Sequence, residues 1–377
     1  MTPDKKKRLR IGVLFGGRSG EHEVSLASAA SVIRGLDPDK YEPVPIGITK
    51  DGHWLVGEGA AKSLPDVLKS GRRVMLSADP TEAALIPLDR GAGAQRFDVL
   101  FPVMHGTFGE DGTIQGLLEL AGLPFVGAGV LGSAVGMDKD VSKRLCQDAG
   151  IPVVPWITVH RWRWEKEPAA VKAEIEANFS YPLFVKPATL GSSVGMTKAH
   201  KSEDLHAALD LASEYGTKIL VEKAVSAREI EVSILGNDQP QASIPGEIVP
   251  HREFYDYQAK YLEEGTQLVI PAQLKPAQVK KIQSLAVQAF RALELSGMAR
   301  VDFFLEKKGS KLFLNEVNTI PGFTSISMYP KLWEASGIPF RELIDKLIAL
   351  ALEAHREKAR TKYAIELPEG SGGALAG

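Results

Sequence analysis

Short apolar runs bounded by glycine and proline alternate with stretches of helical period over the first 138 residues. Residues 10–16, RIGVLFG, read as a buried parallel strand, because a strand covered on both faces is a near-continuous apolar run. A glycine turn follows, then EHEVSLASAASVIRGL, whose small and apolar residues recur at helical spacing. VPIGIT and FDVLFPVMHG read as further strands and GTIQGLLELAGL as another helix. This βαβ alternation predicts an open parallel, Rossmann-like sheet. Residues 50–96, interspersed with proline and glycine, read as short elements in an irregular, variable excursion.

The pattern changes after residue 138. Residues 139–150 form a helix; YPLFVKPATLGSSVGM is a strand, a glycine-rich loop and a strand; SEDLHAALDLASEYG is a helix and KILVEKAV a strand. EIEVSILG opens a new strand set. KPAQVKKIQSLAVQAFRALEL is a long helix, ARVDFFLEKKGSKLFLNEVN a hairpin, and a last helix covers roughly 339–358. The mixed order predicts two α+β subdomains. The expected division is an N-terminal α/β domain at 1–138, a central subdomain at 139–229, and a C-terminal subdomain at 230–364 with a lid loop near 249–268. Residues 365–377 read as a flexible tail.

Composition adds limits. The 377 residues are 44% hydrophobic and 24% charged, ordinary for a globular chain of two or three domains. A net charge of −2 gives no reason to expect nucleic acid or a membrane surface as a partner. The single cysteine, Cys146, excludes an intramolecular disulfide and reads as a buried thiol in a reducing, cytoplasmic setting. The apolar part of KKKRLRIGVLFGG, Ile11 to Phe15, is too short for a signal peptide. No apolar run approaches the roughly 20 residues that span a membrane.

The hairpin carries the first chemistry. Period two puts Glu316 and Asn318 on one face, together with Leu312 and Leu314, and puts Arg300 and Asp302 on one face of the earlier strand. A three-residue loop, Lys308-Gly309-Ser310, with Gly309 in the left-handed conformation, sets Asp302 opposite Glu316 and Arg300 opposite Asn318. Two carboxylates and an amide oxygen, with no Cys or His beside them, suit Mg²⁺ or Mn²⁺ rather than zinc. The alternative is a surface hairpin whose acids face solvent. Like charges directly opposite are destabilising without a cation, which favours the metal.

The chain has no Gly-Lys dipeptide, so it has no Walker A loop, and GGRSGE does not complete G-x-G-x-x-G because position 15 is Phe. KPATLGSSVGM is either an ordinary glycine-rich hairpin or an anion cradle in which backbone N–H groups and serines face phosphate. Lys139 and Lys186 gain meaning only as a pair. HREFYDYQAKYLEEG, at 251–265, is either a lid or a packed loop. Ser19 is a candidate N-cap, with Glu21 in the first turn beyond it. His105 falls at the C-terminal edge of a strand, where open parallel sheets bind ligands.

Eight segments, in order, carry a resemblance: GGRSGEHEVSL, HGTFGEDGTIQGLLE, GMDKDVSK, FVKPATLGSSVGM, VEKAVSAREIEVSILG, EFYDYQAKY, ARVDFF and NEVNTIPGFTSISM. The chain resembles the D-alanine–D-alanine ligases of the ATP-grasp superfamily over almost its whole length, and least over 50–96. The resemblance implies an ATP-grasp fold whose two α+β subdomains clasp ATP. It implies joining of two D-alanines with ATP, through a D-alanyl phosphate, for peptidoglycan.

Carried over, Lys139 and Lys186 would hold phosphates, with Ser192, Ser193 and Asn315 also at the nucleotide. Glu222, Lys223, Val225 and Glu229 would frame adenine and ribose, with Phe254 and Phe304 near the base. Asp302, Glu316 and Asn318 would hold two magnesium or manganese ions. Arg300 and the Gly322 N–H would face the oxyanion. Glu21 would bind the first ammonium within a Glu21–Ser192–Tyr261 set. Lys260 and Ser327 would grip phosphate and the second carboxylate, with His105 and Met328 also lining the substrate site. The Tyr257-Gln258-Ala259-Lys260-Tyr261 pattern favours the dipeptide over a D-alanine–D-lactate ester. Ala224 departs from the bulky aromatic of many relatives. The resemblance also implies a cytoplasmic homodimer. A different ATP-grasp ligase, a non-catalytic nucleotide module and a dinucleotide-dependent oxidoreductase are the competing readings.

Overall fold

The computed structural model describes residues 7–57, 63–89, 93–250 and 267–363. Its frame is three sheets. In the first, the strand Leu9–Gly16 pairs in parallel with Tyr41–Ile48 on one side and Val99–Pro102 on the other. Ile11, Val13, Leu14 and Phe15 have no exposed surface, as a strand covered on both faces requires. The sheet does not end at Ile48. It continues antiparallel through Trp54–Val56, Arg72–Leu76, Ala84–Pro87 and Gln95–Arg96. The short elements expected in this stretch are present, and they build an extension of the sheet that the sequence reading did not foresee. Its strands run to 5 residues at most, too short for alternation to stand out.

The second sheet orders Thr197–Ala199, Leu183–Pro187, Lys218–Lys223 and Trp156–His160, all antiparallel. Val185, Ile219 and Val221 pack on Val171 and Ile175 of the helix Pro168–Asn178 and on Leu205 and Leu209 of the helix Asp204–Tyr215. The third sheet centres on Ala227–Gly236, which begins ahead of the boundary expected after residue 229. Gly246–Val249 and Gln267–Val269 lie to one side, and the hairpin Gly297–Glu306 and Leu312–Asn318 to the other. One face, through Ile230, Val232, Val301 and Phe303, packs on Ile282, Leu285 and Ala289 of the helix Pro276–Ala292. Cys146 is buried in that core, and burial pushes its thiol pKa up to about 11, as expected of an inert structural cysteine.

The helix Phe340–Lys358 touches the end of the sheet that precedes it in sequence, at Leu235 and Met298, and reaches beyond it. Its Leu343, Ile344, Leu347 and Ile348 share a core with Ile11, Val13, Val99 and Phe101 of the first sheet and with Ala29 and Val32 of the helix His22–Gly35. The two helices lie side by side on one face, and a Cβ at Gly35 would meet Phe340 Cε1 at 2.5 Å. The other face is covered by Ile114 and Leu118 of the helix Thr113–Leu120. Parallel strands need apolar cover on both faces, and the chain returns to supply it. Among the described residues no helix is long and apolar enough to cross a membrane.

Leu347→Ala is expected to lower stability by about 2–5 kcal/mol, and Leu347→Met by under about 1.5 kcal/mol. Denaturant midpoints of the two variants against the parent check this; equal, small losses would mean the helix is not docked as described.

Candidate active site

The face of the third sheet turned away from its helix is polar, and its register arranges the side chains in cross-strand ranks. Glu231, Asp302 and Glu316 stand directly opposite one another on three successive strands. Ser233, Arg300 and Asn318 form the next rank, and Glu229, Phe304 and Phe313 the rank on the other side. The pairing of Asp302 with Glu316 agrees with the sequence reading, but two details differ. Glu306 N–H donates to Lys311 O (3.0 Å), so the loop is Lys307–Ser310, one residue longer than expected. The extra residue is absorbed by a bulge at Asn315, since Asp302 pairs with Glu316 while Phe303 pairs with Leu314. Gly309 takes a positive φ of 139°, outside the left-handed helical range expected for it. The bulge also corrects the face assignment. Leu314 and Val317 both enter the core, three positions apart, so Glu316 and Asn318 lie on the face opposite Leu312 and Leu314 rather than beside them.

Three carboxylates in a row need cations. Arg300 Nε and Nη2 donate to Asp302 Oδ1 and Oδ2 at 2.8 and 2.7 Å, and Nε also lies 3.1 Å from Glu231 Oε2. Asn318 Nδ2 donates to Asp302 Oδ2 at 3.0 Å. Burial alone would depress the Arg300 pKa. Asp302 and Glu231 outweigh that and hold it well above the ordinary arginine value. Glu316 pairs with Lys139 Nζ at 3.2 Å, and the same ammonium donates to Leu190 O at 2.8 Å.

Behind Lys139 lies a second buried network. Lys143 is one turn along the helix Lys139–Asp148, and like charges four residues apart on a helix repel. Each therefore takes its own carboxylate. Lys143 Nζ sits 2.9 Å from Glu222 Oε1, and Lys186 Nζ sits 2.9 Å from Glu222 Oε2. Burial would raise the Glu222 pKa, but the flanking lysines hold it below the usual carboxylate range. Burial depresses the Lys143 pKa, and Glu222 offsets this only in part, because Lys186 adds like charge. Glu222, expected to frame the adenine, thus spends both oxygens on lysines; Lys223, at the end of the same strand, is exposed.

The glycine-rich loop faces this sheet from the second domain. Ser192 and Ser193 sit at φ 52° and 58°, left-handed values that cost non-glycine residues about 1–2 kcal/mol each. Such strain persists only where the surroundings fix it. Part of that fixing is the Ser192 hydroxyl, which donates to Glu21 Oε1. Glu21 immediately precedes its helix, which starts at His22. Ser19 is therefore not the N-cap; its Oγ accepts from Glu21 N–H and donates to His105 O. His105 is buried with both ring nitrogens engaged. Nδ1 lies 3.1 Å from Ile320 O and so carries the proton, leaving Nε2 to accept from Ser28 Oγ at 2.9 Å. Ser28 Oγ in turn accepts from Phe323 N–H. Gly322 lies so close to Ser327 that a Cβ would meet its Oγ at 2.6 Å.

One cleft brings together Glu21, His105, Ser192, Arg300, Asn318, Gly322, Ser327 and Met328. Asp302 joins it through its ion pair with Arg300, Glu316 stands opposite Asp302 with Lys139 paired to it, and Glu229 and Phe304 stand one rank along. Val225 lies on the turn between the second and third sheets, and Asn315 at the bulge. Phe254, Lys260 and Tyr261, with the rest of residues 251–266 of the expected lid, lie outside the described residues, while its two ends fall at the strands Gly246–Val249 and Gln267–Val269. Sequence reading missed Lys143, Glu110 and Glu231. Glu110 accepts from Gly106 N–H at 2.8 Å and lines the cleft. Lys143 could have been found from its spacing to Lys139, and Glu231 from its period-two relation to Glu229.

Three sheets, with a charged face of the third set against a strained glycine-rich loop of the second, define an ATP-grasp ligase. Comparison with known proteins narrows this. Residues 10–128 match the family model described as D-ala D-ala ligase N-terminus, and residues 145–349 that of the C-terminus. A D-alanine–D-alanine ligase of Thermoanaerobacter sp. (strain X514) is 52% identical over 361 residues, covering 95% of this chain and 99% of the relative. The solved D-alanine-D-alanine ligase of Coxiella burnetii superposes with a TM-score of 0.84 at 39% identity, covering 94% of this chain and 97% of that one. The VanG D-Ala:D-Ser ligase of Enterococcus faecalis gives 0.82 at 40%, covering 92% and 100%. The chain belongs to the D-alanine–D-alanine ligase family.

Glu222→Gln is expected to cost about 3–5 kcal/mol, because it leaves two buried lysines without their carboxylate. Adding Lys143→Met should recover a large part of that loss. A double-mutant cycle in denaturant measures it; strict additivity would mean Lys143 and Glu222 do not interact.

Proposed function

We propose that this chain joins two D-alanines into D-alanyl-D-alanine, with ATP cleaved to ADP and phosphate, as a peptidoglycan-precursor ligase. The observation that carries the site assignment is the single cleft in which Glu21, from the first domain, meets Arg300, Gly322 and Ser327 beside the Asp302–Glu316 rank. A carboxylate is a poor acyl donor, so the first D-alanine is activated as its acyl phosphate. Lys139 and Lys186 offset charge on the phosphates, and the backbone of the strained loop at Ser192 and Ser193 cradles them. Glu21 takes the first ammonium, its position set by Ser192. The second D-alanine's amine attacks the acyl phosphate, and its carboxylate is received at Ser327, with Met328 packed beside it. The tetrahedral oxyanion faces the Arg300 guanidinium and the Gly322 N–H. A cleft that excludes water protects the acyl phosphate from hydrolysis.

Asp302, Glu316 and Asn318 fit Mg²⁺ or Mn²⁺: they offer carboxylate and amide oxygens on one sheet face. Such ions supply charge neutralisation at the transferring phosphoryl group. Both carboxylates are held by side chains, Glu316 by Lys139 and Asp302 by Arg300. With a metal held there, the Lys139 and Arg300 cations would be free to face substrate oxygens. The family supports a cytoplasmic homodimer. A second reading takes D-serine as the amine, since a D-Ala:D-Ser ligase matches nearly as well as the D-alanine enzyme.

Phosphate release from ATP is expected with D-alanine and not with L-alanine or without amino acid; equal release in all three would remove the assignment. With D-alanine as first substrate and D-alanine, D-serine and D-lactate competing as second near neutral pH, the D-alanine dipeptide should dominate by mass spectrometry. Arg300→Ala should reduce dipeptide synthesis by about 10²–10³-fold. Nucleotide affinity, measured by calorimetry, should stay near the parent's.

A further inference from the structure

We propose that Glu231 is a positioning residue for ligation, holding the Arg300 guanidinium in the cleft while Asp302 turns to metal. The inference rests on the reading above, and on a conflict that reading creates. Asp302 is asked to be both the chief partner of Arg300 and a metal ligand. A divalent ion on Asp302 repels the guanidinium and competes for the same two oxygens. The fork at 2.8 and 2.7 Å therefore weakens at the stage when Arg300 is needed.

Glu231 is placed to resolve this. It stands on the strand beside Asp302, opposite it in register, on the side away from Glu316. Two strand spacings, about 10 Å, separate Glu231 from Glu316, so it stands apart from the metal end of the rank. It lines the cleft, its residue is 8% exposed, and its Oε2 lies 3.1 Å from Arg300 Nε. A carboxylate buried to that degree is costly unless it is paired. No step of the proposed chemistry uses Glu231 directly. Its geometry lets Arg300 change from a contact shared between two acids to one held by Glu231 alone, without leaving the cleft.

The test uses the full-length enzyme and the isosteric Glu231→Gln variant. Ligation kcat should fall about tenfold, the worth of one charge-assisted contact, with little change in KM for D-alanine. Acyl phosphate formation, followed by positional isotope exchange in labelled ATP with D-alanine, should stay within about threefold. Mn²⁺ affinity in the presence of ADP, read by electron paramagnetic resonance, should weaken about three- to tenfold, because Asp302 must then keep the guanidinium. In an Arg300→Met background, Glu231→Gln should leave Mn²⁺ affinity unchanged, and Glu231→Asp should restore part of kcat in the parent.

Equal loss of isotope exchange and ligation, with a lowered melting midpoint, would make Glu231 merely structural. An unchanged kcat, or additive effects on Mn²⁺ affinity, would also overturn the proposal. If the parent itself shows no isotope exchange with D-alanine, it is the ligase reading that fails, and the Mn²⁺ cycle still reports on Glu231.

Discussion

Three acids side by side on one sheet face, each within a strand spacing of the next, form a rank that no fold keeps without cations. Most of the site follows from that constraint. Arg300 sits one position along its own strand's face and reaches both Glu231 and Asp302. Lys139, at the start of a helix whose Cys146 packs in the third-sheet core, reaches Glu316 and in doing so also fixes the carbonyl of Leu190 in the glycine-rich loop. The electrostatic need of the third sheet thereby positions an element of the second. Desolvation works against every one of these ions, and only mutual pairing keeps them charged.

The same logic runs through the contacts with the first domain, in hydrogen bonds rather than ion pairs. Glu21 receives the Ser192 hydroxyl, and His105 bridges Ile320 and Ser28. Ser28 also receives Phe323 N–H, so the segment around Gly322 is tied at both ends to the first domain. An imidazole with both nitrogens engaged is better suited to holding backbone than to exchanging protons with substrate. His105 shapes the cleft from behind while still contributing to its lining.

Much of this was legible in the sequence. Period two and a hairpin loop were enough to pair Asp302 with Glu316. They failed on which residues share the face, because a bulge shifts the pleat by one and leaves no compositional mark at Asn315. The excursion at 50–96 hid its strands because they are short, too brief for alternation to stand out. Lys143 and Glu231 were passed over for a different reason. A buried charge looks like a surface charge in sequence, and only the partner across space reveals it. The last helix was legible as a helix from its period, but sequence order does not show that its apolar stripe also answers a need of the first sheet.

That last placement has a consequence for how the chain is made. Apolar cover for Ile11, Val13 and Phe101 is supplied in part by Leu343, Ile344 and Leu347. At roughly 5–20 residues per second, the some 240 residues between Phe101 and Leu343 take on the order of 10–50 s to synthesise. Throughout that interval the nascent first sheet presents an incomplete apolar face. Its edge strands are short and its exposed positions charged, features that discourage pairing with neighbouring chains. The sheet is closed only when the helix that completes it clears the ribosome.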